Sequence, residues 1–285
     1  MNLLVFNPEH DYALAHNDEH FMALQSAVQF AQDCTPFMHY LFKGEDNMVF
    51  CPYVTPNQDL SFVHPENIYV WGWDKVVGYQ MRQAGLAENY LPAVAQMEKI
   101  RELSHRKMSI AAMDYLRQHC PHLEIPCSAV LLEDISQVGE FIAVHPDAIF
   151  KSPYSGNGRG NLYAHGKLTP TLERQCKGVI RRQGSLLAEP LYPVVQDFAM
   201  EFSCAQNQVR FAGYSLFETR FYGYAGNVLC SDSDIERKLN QWVSTDRLVE
   251  IRENIQDFLR QNILPYILKV CCWPLLSSIV MVAAG

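Results

Sequence analysis

The residues with the clearest chemical potential lie in the segment "FKSPYSGNGRG". Gly156, Gly158 and Gly160 leave three backbone amides unobstructed, and glycine adopts the positive φ that a concave group of N–H donors requires. Lys151 places a positive charge at the end of a predicted strand, and Arg159 adds a planar set of donors. This combination suits a phosphate group, although a hairpin turn has a similar composition. The spacing is neither GxxxxGK[ST] nor a GxGxxG after the first strand, so those two nucleotide motifs are excluded.

Three acidic residues follow this segment at defined places. Glu189 lies in "LLAEPLY", 38 residues after Lys151, at a predicted strand end before a proline. In "QDFAMEFSC", apolar residues alternate with Asp197 and Glu201, which predicts a strand with both carboxylates on one face. The opposite face carries Phe198, Met200, Phe202 and Cys204. These carboxylates either contact a ligand or belong to a solvated sheet face.

Two arginines follow in the next predicted strands. Arg220 lies in "ETRFYGYAGN" beside a glycine-rich turn, and Arg210 precedes it. An arginine here offsets developing negative charge on a substrate, or it pairs with a surface acid.

The first part of the chain, residues 1–103, predicts an α/β domain with a small parallel sheet. The segments "LLVFNP", "NMVFCP" and "NIYVWGW" have the composition of short buried strands, and "FMALQSAVQFAQDC" has helical spacing. Ligands of such sheets bind at the carboxyl ends of the strands. Asn7, Glu9, His10 and Asp11 follow the first strand and are therefore placed to contact a ligand, or they form an ordinary polar turn.

The second part, residues 104–285, predicts an α+β domain that divides into 104–184 and 185–285. We expect Ser104 to cap a helix with His105, Arg106 and Lys107 in its first turn. The apolar stripe of that helix is Met108, Ala111, Ala112, Tyr115 and Leu116. Strands and helices then alternate around the glycine segment, and antiparallel strands follow from residue 185 to about 229. A last helix carries Leu248, Ile251, Ile255 and Phe258.

The order of these residues resembles the ATP-grasp superfamily. That family has a lysine near the start of the domain, a lysine before a glycine-rich loop, an acidic hinge and further acidic strand residues. The resemblance covers residues 104 to 230, and the "FNPE" strand and loop ahead of it resembles uncharacterised ATP-grasp proteins. It implies an α/β N-terminal domain followed by an α+β ATP-grasp domain that binds ATP and activates a carboxylate substrate for an amine or similar nucleophile.

Carried onto this sequence, the resemblance implies roles for individual residues. Lys107, or Arg106 in a shifted alignment, would be the first phosphate-contacting residue, and Lys151 would contact the α- and β-phosphates. The loop over the phosphates would be formed by Ser155, Gly156, Gly158, Arg159 and Gly160. The hinge that reads the adenine would be Glu189, Pro190, Leu191 and Tyr192. Asp197 or Glu201 would hold the ribose, and Glu201 and Arg220 are the catalytic candidates.

The sequence departs from the family where Mg²⁺ ligands are expected. Family members end with acidic strands, usually an Asp or Glu followed by Glu-x-Asn, because Mg²⁺ prefers carboxylate oxygens. Here no Asp or Glu follows Asp257, and Asn262 is the last Asn. The composition also changes near Lys269 to "VCCWPLLSSIVMVAAG". Our hypothesis is a lost reading frame or a truncation that removed the metal strands, which places catalysis by this chain in doubt.

Composition excludes several other classes of protein. The formal charge of −8 disfavours binding to a nucleic-acid backbone. The nine cysteines include no CxxC, so the sequence predicts reduced thiols in a cytoplasmic protein rather than a zinc site. The apolar tail is interrupted by Pro265, Lys269 and Pro274, and the sixteen residues after the lysine span about 24 Å as a helix, too short for a bilayer.

Three functions remain open at this point. The chain is an ATP-dependent carboxylate–amine ligase, or it binds nucleotide or a small anion without turnover, or it is a structural α/β protein in which the glycine segment is a hairpin. The first two predict a small-molecule nucleotide partner; the third does not.

Overall fold

The computed structural model describes residues 1–41, 46–51, 53–54, 57–126, 129–156, 160–205, 207–220, 223–266 and 280–281. The described residues form two compact units. Unit 1 contains Met1–Ser104 with Tyr266, and unit 2 contains His105–Pro265 with the pair Val280–Met281.

Unit 1 is built on a three-stranded parallel sheet, as the sequence predicts. The strands are β1 (Asn2–Val5), β2 (Asn47–Phe50) and β3 (Asn67–Val70), in the order β2-β1-β3. The helices are α1 (His10–His16), α2 (Gln25–Leu41), α3 (Lys75–Gln83) and α4 (Val94–Ser104), with a short 3₁₀ helix at Glu88–Tyr90. Every residue of β1 is buried, which is typical of a central parallel strand covered on both faces.

Side chains from the two faces of β1 enter different cores. Leu3 and Val5 pack in a cluster with Val77 and Met81 of α3, whereas Leu4 packs with Met38 of α2. The sheet is therefore held between helices, and its carboxyl edge is the place where the loops after β1, β2 and β3 meet.

Unit 2 has two four-stranded antiparallel sheets. Its first elements are α5 (Lys107–His119), β4 (Val130–Leu132), α6 (Ile135–Val144), β5 (Asp147–Lys151), β6 (Leu162–His165), α7 (Pro170–Gln183) and β7 (Leu186–Pro190). The remaining elements are β8 (Asp197–Ala205), β9 (Gln208–Arg220), β10 (Gly223–Asn227), α8 (Asp232–Leu239), α9 (Thr245–Asn262) and β11 (Val280–Met281). A 3₁₀ turn at Leu264–Tyr266 follows α9, and its last residue is counted with unit 1.

The first of these sheets has the strand order β4-β7-β5-β6. Ala148 and Phe150 of β5 and Leu186 and Ala188 of β7 are buried against side chains of α6 and α7. Because successive strand residues point to opposite faces, Lys151 and Glu189 project from the other face.

The second sheet has the order β10-β9-β8-β11. The predicted alternation in β8 is confirmed: Phe198, Met200 and Phe202 are at most 1% exposed and pack with residues of α5, α8 and α9. The stripe predicted for α9 is confirmed as well, since all four of its residues lie in the same core.

The start of α5 differs from the prediction. Ser104 is the last residue of α4, and its hydroxyl donates to the carbonyl of Ile100. Arg106 is the N-cap of α5, and its side chain makes no capping bond. Met108, Ala112, Tyr115 and Leu116 face the core, but Ala111 is exposed. A serine in the last turn of a helix can bond to the carbonyl four residues earlier, and here it does so instead of starting the next helix.

Among the described residues, no helix is both long enough and apolar enough to cross a bilayer.

Candidate functional site

The central contact in unit 2 joins the two residues that the sequence places at strand ends. The Nζ of Lys151 donates to Oε2 of Glu189 at 2.6 Å. The side chains are 12% and 25% exposed, respectively. A cation and an anion are thus held at the surface of the sheet, with solvent access to both.

The register of the sheet explains this contact. β5 and β7 are antiparallel, with Ile149 opposite Glu189 and Lys151 opposite Leu187. Lys151 and Glu189 are therefore diagonal neighbours on one face, a separation that long side chains bridge. α6 and α7 pack on the other face, and Leu187, which lies on the same face as this pair, is fully buried.

The segment that leaves Lys151 is fixed by residues from two helices. Arg106 donates its Nε to the carbonyl of Ser152 at 2.9 Å, and its Nη2 donates to the carbonyl of Ser155. The amide of Tyr154 donates to Oε1 of Gln183 at 3.1 Å. Arg106 therefore holds the beginning of the predicted phosphate loop, whereas Lys107 is exposed as the first residue of α5.

The glycine segment is described in part. Ser155 is half-buried and Gly156 is exposed. Gly160 has φ of +87°, and a Cβ built on it would meet no atom within 4 Å. Glycine is therefore favoured at this position by the positive φ alone, and not by a neighbouring atom that would collide with a side chain. Gly158 and Arg159, which are also predicted to belong to the phosphate loop, lie outside the described residues.

The predicted hinge lies directly after Glu189. Pro190 ends β7 opposite Ala148, and the amide of Leu191 donates to the carbonyl of Asp147 at 2.9 Å. Tyr192 is exposed at the beginning of the connection to β8.

The two carboxylates of β8 are separated along the strand. Oδ2 of Asp197 accepts from the hydroxyl of Thr219 at 2.8 Å. Glu201 is half-buried, and its carboxylate has no hydrogen bond or ion pair among the described residues. Residues four apart on a strand are about 13 Å apart, so these two side chains do not share one ligand atom.

The arginine candidates lie on β9. Arg220 is its last residue, and the side chain of Arg220 lies outside what the structure describes. Arg210 is exposed and donates to Oε1 of Gln208 from both Nε and Nη2.

A second polar centre lies in unit 1, at the carboxyl edge of the parallel sheet. Asn7 and Glu9 follow β1, Tyr53 follows β2, and Asp74 follows β3. The predicted set contributes Asn7, Glu9 and His10 to this cluster, while Asp11 is half-buried in the first turn of α1.

Asp74 is the hub of this cluster and was not predicted. It is 2% exposed and accepts from Nδ2 of Asn7 at 3.0 Å, from the amide of Val77 at 2.8 Å and from Nδ1 of His10 at 2.8 Å. Gly72 permits this arrangement, because an added Cβ would come within 2.3 Å of the His10 ring. In the sequence, Gly72 and Asp74 of "WGWD" come directly after a predicted strand, and this pattern indicates a polar cluster at the carboxyl edge of the sheet.

Burial changes the acidity of the groups beside Asp74. Burial, and to a smaller extent the nearby Asp74 charge, raise the pKa of Glu9 above its ordinary value of 4.5, against the lowering effect of the Tyr53 hydrogen bond. Burial and the Glu9 charge also raise the pKa of Tyr53. The hydroxyl of Tyr53 donates to Oε1 of Glu9 at 2.7 Å.

Within the described part of the chain, no group of three or more His, Cys, Asp or Glu side chains is arranged to hold a metal ion.

No protein-family model and no curated protein matches the sequence. Similar solved structures include N5-carboxyaminoimidazole synthetase from Staphylococcus aureus with ADP (13% identity, 92% of this chain, 63% of that chain, TM-score 0.49). VanG D-Ala:D-Ser ligase from Enterococcus faecalis aligns with 8% identity over 90% of this chain and 82% of its own (TM-score 0.47). A RimK domain ATP-grasp protein from Sphaerobacter thermophilus aligns with 12% identity over 91% and 82% (TM-score 0.42).

One of these three structures is described as an ATP-grasp protein. The chain spans 63% of the length of the first of these enzymes. At these identities and TM-scores the alignments assign no residue, substrate or activity to this chain.

Proposed function

We propose that unit 2 binds ATP in the manner of an ATP-grasp domain, and that the protein descends from ATP-dependent carboxylate–amine ligases. The observation that carries this proposal is the Lys151–Glu189 pair on the face of the sheet opposite α6 and α7, with Lys151 directly before the glycine segment. A phosphate group is a stronger partner for an ammonium group than one partly exposed carboxylate, because several anionic oxygens are presented together.

The residues around this pair suit the parts of a nucleotide. Lys151 would meet the α- and β-phosphates, and the segment from Ser155 to Gly160, which includes Gly156, Gly158 and Arg159, would cover them with backbone amides. Arg106 fixes the start of that segment through the carbonyls of Ser152 and Ser155. Its role in the proposal is therefore to position the loop.

The other predicted residues would serve the base, the sugar and the second substrate. Glu189, Pro190, Leu191 and Tyr192 would line the adenine site, since the chain leaves the sheet there. Asp197 would hold the ribose hydroxyls, and Glu201 is a distinct candidate for the second substrate. ATP supplies the phosphoryl group that converts a carboxylate into an acyl-phosphate, and Arg220 would offset negative charge on that group.

A second candidate function is nucleotide binding without turnover. The observation behind it is that residues 258–285 of the given sequence contain no Asp or Glu, the residue types that Mg²⁺ prefers. Supplying Mg·ATP with candidate carboxylates and amines separates the two functions: a ligase releases ADP and phosphate, and a binding module releases neither.

The test of the nucleotide site is calorimetric titration of ATP, with and without Mg²⁺, into the wild-type protein and Lys151→Ala. A hydrogen bond to a charged group contributes about 1.5 to 3 kcal/mol, so we expect the variant to bind about 10- to 150-fold more weakly. Lys177→Ala is the matched control, because Lys177 pairs with Glu173 on the surface of α7 in the same unit. Equal ATP affinity in wild type and Lys151→Ala would refute the phosphate site, and the glycine segment would then be a structural turn.

A second variant examines the partner of Lys151. Glu189→Gln keeps an acceptor oxygen for the adenine amino group but removes the charge that competes with phosphate for Lys151. A partly exposed pair contributes about 0.2 to 1 kcal/mol, so ATP affinity should rise by about two- to fivefold. A tenfold loss of affinity instead would mean that the Glu189 carboxylate itself binds the nucleotide.

A further inference from the structure

A cleft of about 360 Å³ lies in unit 1, between α3, the beginning of α4 and the loop that follows α1. Its floor is Met97 of α4, which is 5% exposed. Gly78 of α3 allows this close packing, because an added Cβ would come within 2.6 Å of the methyl carbon of Met97. Val94, the first residue of α4, adds an exposed apolar edge. The volume is in the range of small-molecule sites, which measure about 300 to 1,000 Å³.

Three side chains of α3 line this cleft along one face of the helix. Lys75, Tyr79 and Arg82 are spaced i, i+4 and i+7, so they lie one above another. The two cationic residues are about 10 Å apart along the axis, at a rise of about 1.5 Å per residue. The cleft is therefore elongated, with Tyr79 between a lysine end and an arginine end.

The loop after α1 follows the lysine end of this face. Nδ2 of Asn17 donates to Oε1 of Glu98, the same oxygen that pairs with Nζ of Lys75 at 2.5 Å. Three residues later, the ring of His20 packs edge-on against Tyr79, with the ring centroids 4.8 Å apart. The loop is thus held beside α3 from Lys75 to Tyr79.

Two carboxylates lie between these two contacts of the loop. Asp18 and Glu19 both line the cleft, and neither has a Lys or Arg partner in the described part of the chain. Oδ1 of Asp18 accepts the amide of His20 at 3.0 Å, which fixes the turn. Because Lys75 is already neutralised by Glu98, the lysine end of the cleft carries excess negative charge.

The arginine end presents a cation with unused donors. Nε of Arg82 donates to Oε1 of Glu88 at 2.5 Å, whereas its Nη1 and Nη2 make no hydrogen bond to any described residue. Glu88 is 68% exposed and does not line the cleft. Two parallel N–H groups of a guanidinium match the two oxygens of a carboxylate. The two ends of the cleft therefore favour groups of opposite charge.

We propose that this cleft binds a small zwitterion of the ω-amino acid class, in which a short apolar chain joins an ammonium group to a carboxylate. The ammonium group lies against Asp18 and Glu19, the chain covers Met97, and the carboxylate reaches Arg82. An α-amino acid carries both charges on one carbon and does not reach both ends. The argument uses contacts of unit 1 alone, so it does not depend on nucleotide binding by unit 2.

The test compares four small molecules of similar apolar content. 6-Aminohexanoate carries both charges at opposite ends, hexylammonium only the positive one, hexanoate only the negative one, and leucine both on one carbon. The protein is labelled with ¹³C at the methionine methyl groups, and the Met97 resonance is identified by its loss in Met97→Leu. In the absence of ATP, 6-aminohexanoate should shift this resonance and bind about two- to fivefold more tightly than the other three. No shift, or an equal affinity for any of the others, would overturn the proposal.

Two variants each remove one end of the site. Arg82→Gln should weaken the binding of 6-aminohexanoate by about two- to fivefold and leave that of hexylammonium unchanged. Asp18→Asn should weaken the binding of 6-aminohexanoate and of hexylammonium, but not that of hexanoate. Calorimetric titration measures these affinities. Equal losses for all three molecules in either variant would mean that the change disturbs the loop or the helix, and the assignment of that end would be wrong.

Each variant has a matched control. Asp59→Asn corresponds to Asp18→Asn, because each carboxylate accepts the amide two residues later in an exposed turn. Arg237→Gln corresponds to Arg82→Gln, because it removes an exposed arginine that pairs with Asp234 in unit 2. Both controls should keep the wild-type affinity for 6-aminohexanoate. The same loss in a control and in its site variant would refute the site, and the comparison of the four molecules on the wild type decides the question without any variant.

Discussion

The two polar centres of the molecule differ in how firmly their side chains are held. In unit 1, Asn7, Glu9 and Asp74 are at most 2% exposed and their bonds are fixed by three separate strand ends. In unit 2, Lys151 and Glu189 are bonded to each other and remain in contact with solvent. The first centre is organised by folding itself, so altering it changes stability. In the second centre, Lys151 can exchange Glu189 for another anionic partner at small cost in free energy. This suits a site that must accept and release a large anionic ligand.

The largest loss of stability is expected for Asp74→Ala, which disrupts the firmly held centre of unit 1. The change removes a helix cap and leaves donors of Asn7, Val77 and His10 buried without an acceptor. Removing one partner of a buried network of this kind costs about 3 to 5 kcal/mol. Denaturant unfolding of the wild type and the variant measures the loss.

The control is the cap of a helix in the other unit. Asp134 caps α6 by accepting from the amide and hydroxyl of Ser136, and these bonds are exposed. Asp134→Ala should therefore cost only about 1 kcal/mol. Similar losses for the two variants would mean that burial of the unit 1 cluster adds nothing to its energetics, and the contrast between the units would be wrong.

A smaller effect is expected in the pH dependence of stability. Because the pKa of Glu9 is raised on folding, the folded protein binds this proton more tightly than the unfolded chain, whose value is near 4.5. Tighter binding of this proton stabilises the folded state fully below pH 4.5, and this contribution is lost as pH rises through the folded pKa of Glu9. Each unit of pKa difference corresponds to about 1.4 kcal/mol.

Unfolding free energies of wild type and Glu9→Gln, measured from pH 4 upward, test this sign. The unfolding free energy of Glu9→Gln, relative to that of the wild type, should increase as pH rises through the folded pKa of Glu9. Above that pH the difference between the two proteins should stay constant. Parallel curves for the two proteins would show that Glu9 has the same pKa in both states.

The sequence was informative where a repeating pattern specifies the structure. The parallel strands of unit 1 follow from short apolar runs, and the alternation in β8 correctly assigned the buried positions of Phe198, Met200 and Phe202. Such patterns are local, and burial enforces them. The same reasoning located Lys151 and Glu189 near strand ends, because a polar loop follows Lys151 and a proline follows Glu189.

Contacts between distant residues were not accessible in this way. The bond between Asn7 and Asp74 joins residues 67 apart, and the contacts of Arg106 are with backbone carbonyls, which leave no trace in residue types. Ser104 has the composition of a cap but bonds within α4, since the chain between the two helices is short and the next helix begins without a side-chain cap. These features depend on register and on how elements pack, which the sequence pattern does not specify.

The smallest effect, and the sharpest comparison, involves two glycines of unit 2. Gly160 and Gly184 have φ of +87° and +82°, and a Cβ on either would meet no atom within 4 Å. Gly184 ends α7, whereas Gly160 ends the glycine segment after Lys151. Alanine at either position should cost about 1 kcal/mol of stability, because only the backbone conformation is strained. Only Gly160→Ala should also weaken ATP binding, by about two- to fivefold, since its strain redirects an amide of the proposed phosphate loop. Calorimetry on both variants decides this: equal ATP affinity in the two, with equal losses of stability, would mean that Gly160 serves chain reversal alone and that the phosphate loop ends before it.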